Sequence, residues 1–267
     1  MAQFKNYIVI GASKGLGAAL VEELLENEQF FVYAVSRTSA EEIPDYKEWQ
    51  KSGRFRYFQA DISDKEEVSK LTDINNFIKD EQACIIFNAA CLKTDVDHNN
   101  FIDFQTLREV KNTGIDGLIN ILEVFQSNLL TYGGVFVGIS SFSTISPAIC
   151  PGMIAYRAAK TFLNTLIDDL RFTWRNNKNI KIMTVNLGYM RKNKANPFLE
   201  LLFPSYTRVA KKIIKTVHSN NIPKELNYTF LYNIVYRFFA LMPSIIYYFT
   251  FHIVLRKTIA FIKNIKD

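Results

Sequence analysis

Six short apolar runs rich in β-forming residues alternate with longer amphipathic stretches, and this alternation constrains the fold of the 267-residue chain more than any other feature. The runs are YIVI (7–10), FFVYAV (30–35), RFRYFQ (54–59), ACIIF (83–87), GVFVGI (134–139) and IKIMTV (180–185). Between them, GAALVEELLEN, KEEVSKLTDINNFIKD, GLINILEVFQSNLL and AYRAAKTFLNTLIDDLRFTWRNN carry apolar residues at helical spacing. Strands that are apolar along their whole length need cover on both faces, which a parallel sheet with helical crossovers provides. Right-handed crossovers then give a doubly wound α/β fold with six to seven strands.

The length suits one large domain with a well-buried core, and 48% apolar with 22% charged residues excludes long disorder. Charge is unevenly placed. Residues 1–190 hold 19 basic and 23 acidic side chains, whereas residues 191–267 hold 13 and 3. A basic, aromatic-rich end fits an anionic lipid surface or a solvated helix face, and the absence of any nucleic-acid motif speaks against a nucleic-acid partner. Cys84, Cys91 and Cys150 show no metal-ligand spacing and read as reduced thiols in or near the core. The start, MAQFKNYIVIG, runs straight into a strand without the apolar stretch of a secretion signal, so the body is expected to face the cytoplasm.

YIVIGASKGLGAALVEELL places Gly11, Gly15 and Gly17 between the first strand and the first helix, with Ser13, Lys14 and Leu16 in the same turn. Without Cβ atoms, such a turn lets backbone N–H groups and a helix N-terminus approach a pyrophosphate. The predicted fold is therefore of the Rossmann type. At the end of the second strand, a free ribose 2′-hydroxyl would favour an acidic residue and a 2′-phosphate an arginine. This chain has Ser36 and Arg37 there, with Lys14 nearby, which predicts NADP(H) over NAD(H).

From about residue 5 to about 190 the chain resembles the short-chain dehydrogenase/reductase family. GASKGLG is similar to that family's cofactor turn. Asp61, with Ile62 beside it, sits where the family usually has an acidic residue near the adenine ring. Asn88-Ala89-Ala90 resembles its Asn-Ala-Gly element, GISS and Tyr156-x-x-x-Lys160 its active site, and Gly188 in NLG its turn after the sixth strand. The resemblance implies an enzyme that interconverts a ketone and a secondary alcohol, with Ser141, Tyr156 and Lys160 catalytic.

The tyrosine and lysine also make chemical sense on their own. A spacing of four puts them on one helix face, about 5 to 6 Å apart at Cβ. A phenol with a pKa of about 10 is a poor acid at neutral pH, and a neighbouring ammonium favours the phenolate. A serine hydroxyl is needed to orient the carbonyl oxygen. Ser141 is chosen by motif, while Ser143, thirteen residues before Tyr156, is its rival. Ser140 reads as structural.

Four positions depart from the family pattern. Ala90 replaces glycine, Leu187 replaces proline, and Lys192 stands near the place of a threonine. Either Gly114 or Asn112 takes the place of an asparagine that serves a proton path. These departures leave room for a second reading, a weakly active or inactive cofactor-binding sensor or scaffold.

Residues 1–205 are read as the dinucleotide-binding and catalytic domain. Residues 206–267 are read as a basic and apolar helical extension, packed on that domain or on a membrane surface. Within it RVAKKIIKTVHSNN has amphipathic helical spacing, while FFALMPSIIYYFTFHIVL (238–255) is apolar all round. Eighteen such residues reach the lower limit for a bilayer span, but Pro243, Ser244 and His252 interrupt them. Peripheral membrane contact through residues 230–260, a roof over the substrate pocket, a subunit contact and a true anchor all remain open. The expected substrate is a small apolar carbonyl or alcohol. The expected assembly is a homodimer or homotetramer, cytoplasmic or at the inner face of the membrane.

Overall fold

Tyr7 and Val9 join one core cluster of the protein, and the intervening Ile8 and Ile10 join another, all four fully buried. This period-two division follows from strand geometry, and it places the first strand at the centre of a sheet covered on both faces. A computed structural model describes residues 4–97, 99, 101–145, 152–193, 197–241 and 246. Its strands are β1 (Asn6–Ile10), β2 (Phe31–Ser36), β3 (Phe55–Gln59), β4 (Ala83–Phe87), β5 (Gly134–Ser141), β6 (Ile180–Leu187) and β7 (Glu225–Tyr228). All pair in parallel, in the order β3-β2-β1-β4-β5-β6-β7. The order reverses between β1 and β4, and in such sheets a crevice forms beyond the strand ends at the reversal.

The first half contributes helices α1 (Leu16–Leu25), α2 (Tyr46–Lys51), α3 (Lys65–Ser69), α4 (Thr72–Ile78) and α5 (Phe104–Lys111). The second half contributes α6 (Gly117–Tyr132), α7 (Ile154–Thr173), α8 (Pro197–Leu202), α9 (Tyr206–Val217) and α10 (Phe230–Leu241). One face of the sheet is covered by α1 and α9 through Leu20, Leu24, Val209 and Ile213, and the other by α4, α6 and α7 through Ile74, Leu118, Ile121, Leu163 and Ile167. Each such aliphatic side chain, fully buried, contributes about 1.5–3 kcal/mol.

The sequence and the structure differ in two places. The stretch expected as one helix from Lys65 is two, α3 and α4; it reads as one because the apolar spacing of Val68, Leu71, Ile74 and Ile78 runs unbroken across the turn between them. The seventh strand, ELNY, lacks an apolar run and gave no strand signal. The amphipathic stretch after 206 is α9, whose Val209, Ala210, Ile213 and Val217 lie in the main core and whose Lys211 reaches Glu23 of α1 at 3.7 Å. The packing thus carries the core past residue 205, and β7 carries the sheet. Cys84 is buried and Cys91 half-buried, both free, while Cys150 lies outside the described residues. Most of FFALMPSIIYYFTFHIVL past Leu241 also lies outside them. Among the described residues no helix is long and apolar enough to cross a membrane.

Candidate active site

The glycine turn leaves β1 at Gly11 (φ +85°), whose N–H donates to Val35 O at 2.8 Å. A Cβ on Gly11 would lie 2.7 Å from Ala89 Cα, and one on Gly17 would lie 1.9 Å from Gly11 O. The Asn88 amide donates to Gly11 O at 2.9 Å and ties the end of β4 to the turn. Helix α1 starts at Leu16 with no side chain capping it and no acidic residue in its first turn. Its N-terminal N–H groups are therefore left without a side-chain acceptor and its partial positive charge without an acidic neighbour in the first turn, an arrangement that fits a pyrophosphate. Tyr206, at the head of α9, lies against the turn, its ring 3.6 Å from where a Gly15 Cβ would stand.

At the neighbouring strand end, Thr38 donates to Ser13 Oγ at 3.0 Å and fastens the loop after β2 to the turn. Lys14 and Arg37 are exposed, and Arg37 lies 3.6 Å from Asp61. Burial works against ionisation of Asp61, but hydrogen bonds from Ser63 and the Arg37 guanidinium hold its carboxyl below the usual range. Ser36 is different from its neighbour. It is buried, and its hydroxyl is engaged with Tyr57 at 2.7 Å. Ile62 is also buried and packs on Gly117, where an added Cβ would come within 2.7 Å. Ser36 and Ile62 are thus buried behind this strand end, while Lys14 and Arg37 are exposed and Ser13 is half-buried.

Tyr156 and Lys160 lie one turn apart on α7, with the Lys160 Nζ 5.8 Å from the centroid of the Tyr156 ring. Both border a small cavity at the end of β4, together with Ala89, Ala90, Cys91 and Gly114. Lys160 is buried and donates to Ile139 O of β5 at 2.6 Å. Burial disfavours its charged form and brings its pKa down to about 8. Ser143 donates to Ser141 Oγ through its backbone N–H at 3.2 Å and its hydroxyl at 3.0 Å, so the two rival serines stand side by side at the end of β5. Ser140, the preceding residue of β5, is buried. Gly114 lies in a widened helical turn, Asn112–Asp116, and borders the cavity that Asn112 does not reach. A Cβ on Gly114 would stand 2.6 Å from Ala159 Cβ, so no side chain fits at that point.

Several neighbours of the site carry no local sequence signal. Asp95, fully buried, accepts from the backbone N–H of Ile154 at 3.0 Å and of Ala155 at 2.6 Å, capping α7 from the loop after β4. From α10, Tyr232 and Tyr236 stack on Phe142, with centroids 6.0 and 5.6 Å away, and Tyr232 meets Phe203 edge-on. The Tyr232 ring also lies where a Gly188 Cβ would reach it at 2.8 Å. Helix α10 thus covers the ends of β5 and β6 beside Ser141 and Gly188. Only the i, i+4 spacing of Tyr232 and Tyr236 could have shown that these two share a face.

A family profile described as short chain dehydrogenase matches residues 5–199. The chain belongs to the short-chain dehydrogenase family. Solved members with the same fold include a short-chain dehydrogenase from Streptomyces avermitilis, with TM-score 0.73 and 19% identity over 88% of this chain and 90% of that one. Another, from Burkholderia cenocepacia in complex with NADP, has TM-score 0.71 and 19% identity over 90% and 94%. The NADPH-bound carbonyl reductase from chicken fatty liver has TM-score 0.70 and 16% identity over 84% and 96%. No curated protein matches the sequence.

Proposed function

We propose that this short-chain dehydrogenase is an NADP(H)-dependent oxidoreductase that interconverts a ketone and a secondary alcohol on an apolar substrate. The observation that carries the reading is one cavity bordered by both Tyr156 and Lys160, beside Ala89 and Ala90 at the end of β4. When bound, the nicotinamide supplies or takes up the hydride. Tyr156 gives its phenolic proton to the carbonyl oxygen in reduction and takes it back in oxidation. Lys160, held by Ile139 O, keeps a cation within reach of the tyrosine ring. Ser141, with Ser143 beside it, orients the same oxygen.

Arg37 and Lys14 would hold a 2′-phosphate, and the N-terminus of α1 the pyrophosphate. Two structural relatives solved with NADP or NADPH support that choice. The aromatic cover formed by Phe142, Tyr232 and Tyr236 favours an apolar substrate. Assembly as a homodimer or homotetramer belongs to the same proposal and is read by sedimentation.

The test is oxidation of NADPH and of NADH by the purified chain over a broad panel of ketones, with cofactor affinities measured alongside. NADPH-dependent turnover is expected. Tight cofactor binding without turnover across the panel would instead support the sensor or scaffold reading, and a preference for NADH would remove the 2′-phosphate from the proposal.

A further inference from the structure

Helix α10 has two unlike faces. Tyr232, Asn233, Tyr236 and Phe239 are half-buried, and the two tyrosines stack over Phe142 beside the candidate active site. On the opposite side Leu231, Ile234, Val235, Phe238 and Leu241 form a continuous stripe, with Phe238 59% and Leu241 85% exposed. Spacings of three and four residues put all five on one arc of the helix. Five large apolar side chains held together in water mark a surface that another apolar phase covers.

We propose that this stripe docks on an anionic lipid bilayer, and that the active site beneath α10 takes its apolar carbonyl substrate from that bilayer. The inference rests on the oxidoreductase reading for its substrate and on the helix for its surface. Charge decides among the occupants. Arg237 lies on α10 itself. Past Leu241 the sequence continues as MPSIIYYFTFHIVLRKTIAFIKNIKD, with Arg256, Lys257, Lys263 and Lys266 against Asp267 alone. An apolar stripe, aromatic residues and an excess of cations in one sequence segment match the chemistry of an anionic interface. A second copy would bring a second cation-rich sequence of the same kind into one complex, a like-charge balance that opposes pairing, whereas an anionic bilayer complements it.

The geometry gives the docking a purpose. Because the inner tyrosines of α10 cover the ends of β5 and β6, a bilayer on the outer stripe would lie one helix thickness, about 10 Å, from the candidate site. A ketone with a long apolar body, partitioned in lipid, would reach that site without crossing water.

The full chain is sedimented with vesicles of equal parts phosphatidylglycerol and phosphatidylcholine, and with vesicles of phosphatidylcholine alone. Binding to the first and at least about tenfold weaker binding to the second is expected. The double variant Phe238→Asp, Leu241→Asp is expected to bind the anionic vesicles at least about tenfold less, since it puts two charges on the docking stripe. Both side chains already face water, and an unchanged NADPH affinity and circular dichroism spectrum verify that the variant is folded. The proposal is overturned if the wild-type chain stays in the supernatant with anionic vesicles, or if the folded variant sediments as well as wild type. It is equally overturned if the variant only converts a wild-type dimer into a monomer. Turnover of a water-soluble ketone, measured on the same samples, separates the two readings: vesicle binding can fail while NADPH oxidation persists, or the reverse.

Discussion

The carboxylate of Asp95 accepts the backbone N–H of Ala155 at 2.6 Å, so a buried side chain from the loop after β4 fixes the helix turn that carries Tyr156. It accepts the N–H of Ile154 at 3.0 Å as well. Asp95→Ala leaves the buried N–H of Ala155 and the part-buried N–H of Ile154 without their acceptor and is expected to cost about 1–3 kcal/mol in denaturant unfolding. Turnover should fall more than cofactor affinity, because the loss lies at Tyr156 and not at the glycine turn. Asp95→Asn, which keeps one acceptor, should recover part of both.

The buried Lys160 gives stability an unusual pH slope. Its pKa is lowered to about 8 in the fold, against about 10.4 in an unfolded chain. Between those values the unfolded chain holds the proton and the folded one does not, so stability should rise with pH, by up to about 3 kcal/mol in all. Denaturant midpoints of the cofactor-free protein across this range test it, and Lys160→Met should flatten the slope. Turnover should run the opposite way and decline above pH about 8 as the ammonium is lost.

Gly17→Ala puts a methyl group 1.9 Å from Gly11 O, in the turn proposed to hold the cofactor. The carbonyl must shift, at about 1–3 kcal/mol, and NADPH affinity measured by fluorescence titration should drop at least about tenfold. Gly53→Ala makes the control. Its φ is +69° and a Cβ there meets nothing within 4 Å, so a backbone strain cost of about 1 kcal/mol with unchanged NADPH affinity is expected.

Arg37→Ala should weaken NADPH binding by about ten- to a hundredfold and leave NADH nearly unaffected, since a charge-assisted bond to phosphate is worth about 1.5–3 kcal/mol. Calorimetric titration with each cofactor checks it, and equal losses for both would show that Arg37 serves only its ion pair with Asp61.

Ser141→Ala and Ser143→Ala, made separately, resolve the paired serines. Loss of about a hundredfold or more in turnover is expected for Ser141→Ala alone. If only Ser143→Ala abolishes turnover, the orienting hydroxyl belongs to Ser143.

The parts of the site legible in the sequence are those fixed within one turn or one strand end. Tyr156 and Lys160 share a helix face by spacing alone, and the glycines announce themselves by the strand before them and the helix after. Contacts between distant segments left no such trace. The Asp95 cap spans 60 residues of sequence to Ala155, and Tyr206 meets the glycine turn from a helix far down the chain. The short edge strand β7 was silent because Glu225, Asn227 and Tyr228 are not a buried run. Its partner β6, buried and apolar, was plain. The second strand's end was legible in kind but not in orientation, since only the structure pairs Ser36 with Tyr57 and leaves Arg37 outside.

The position of β7 also bears on how the protein is made. The strand pairs Leu226 with Val185 and Tyr228 with Leu187, so the outer edge of the C-terminal half of β6, Thr184 to Leu187, is covered by residues synthesised about forty positions later. Until they leave the ribosome, a newly made chain presents these four residues of β6 unpaired to its neighbours, the kind of edge on which nascent chains aggregate. Slow translation between Leu187 and Tyr228 would lengthen that exposure. Yield in the cell, more than stability in the test tube, is where a weakened β7 would first be felt.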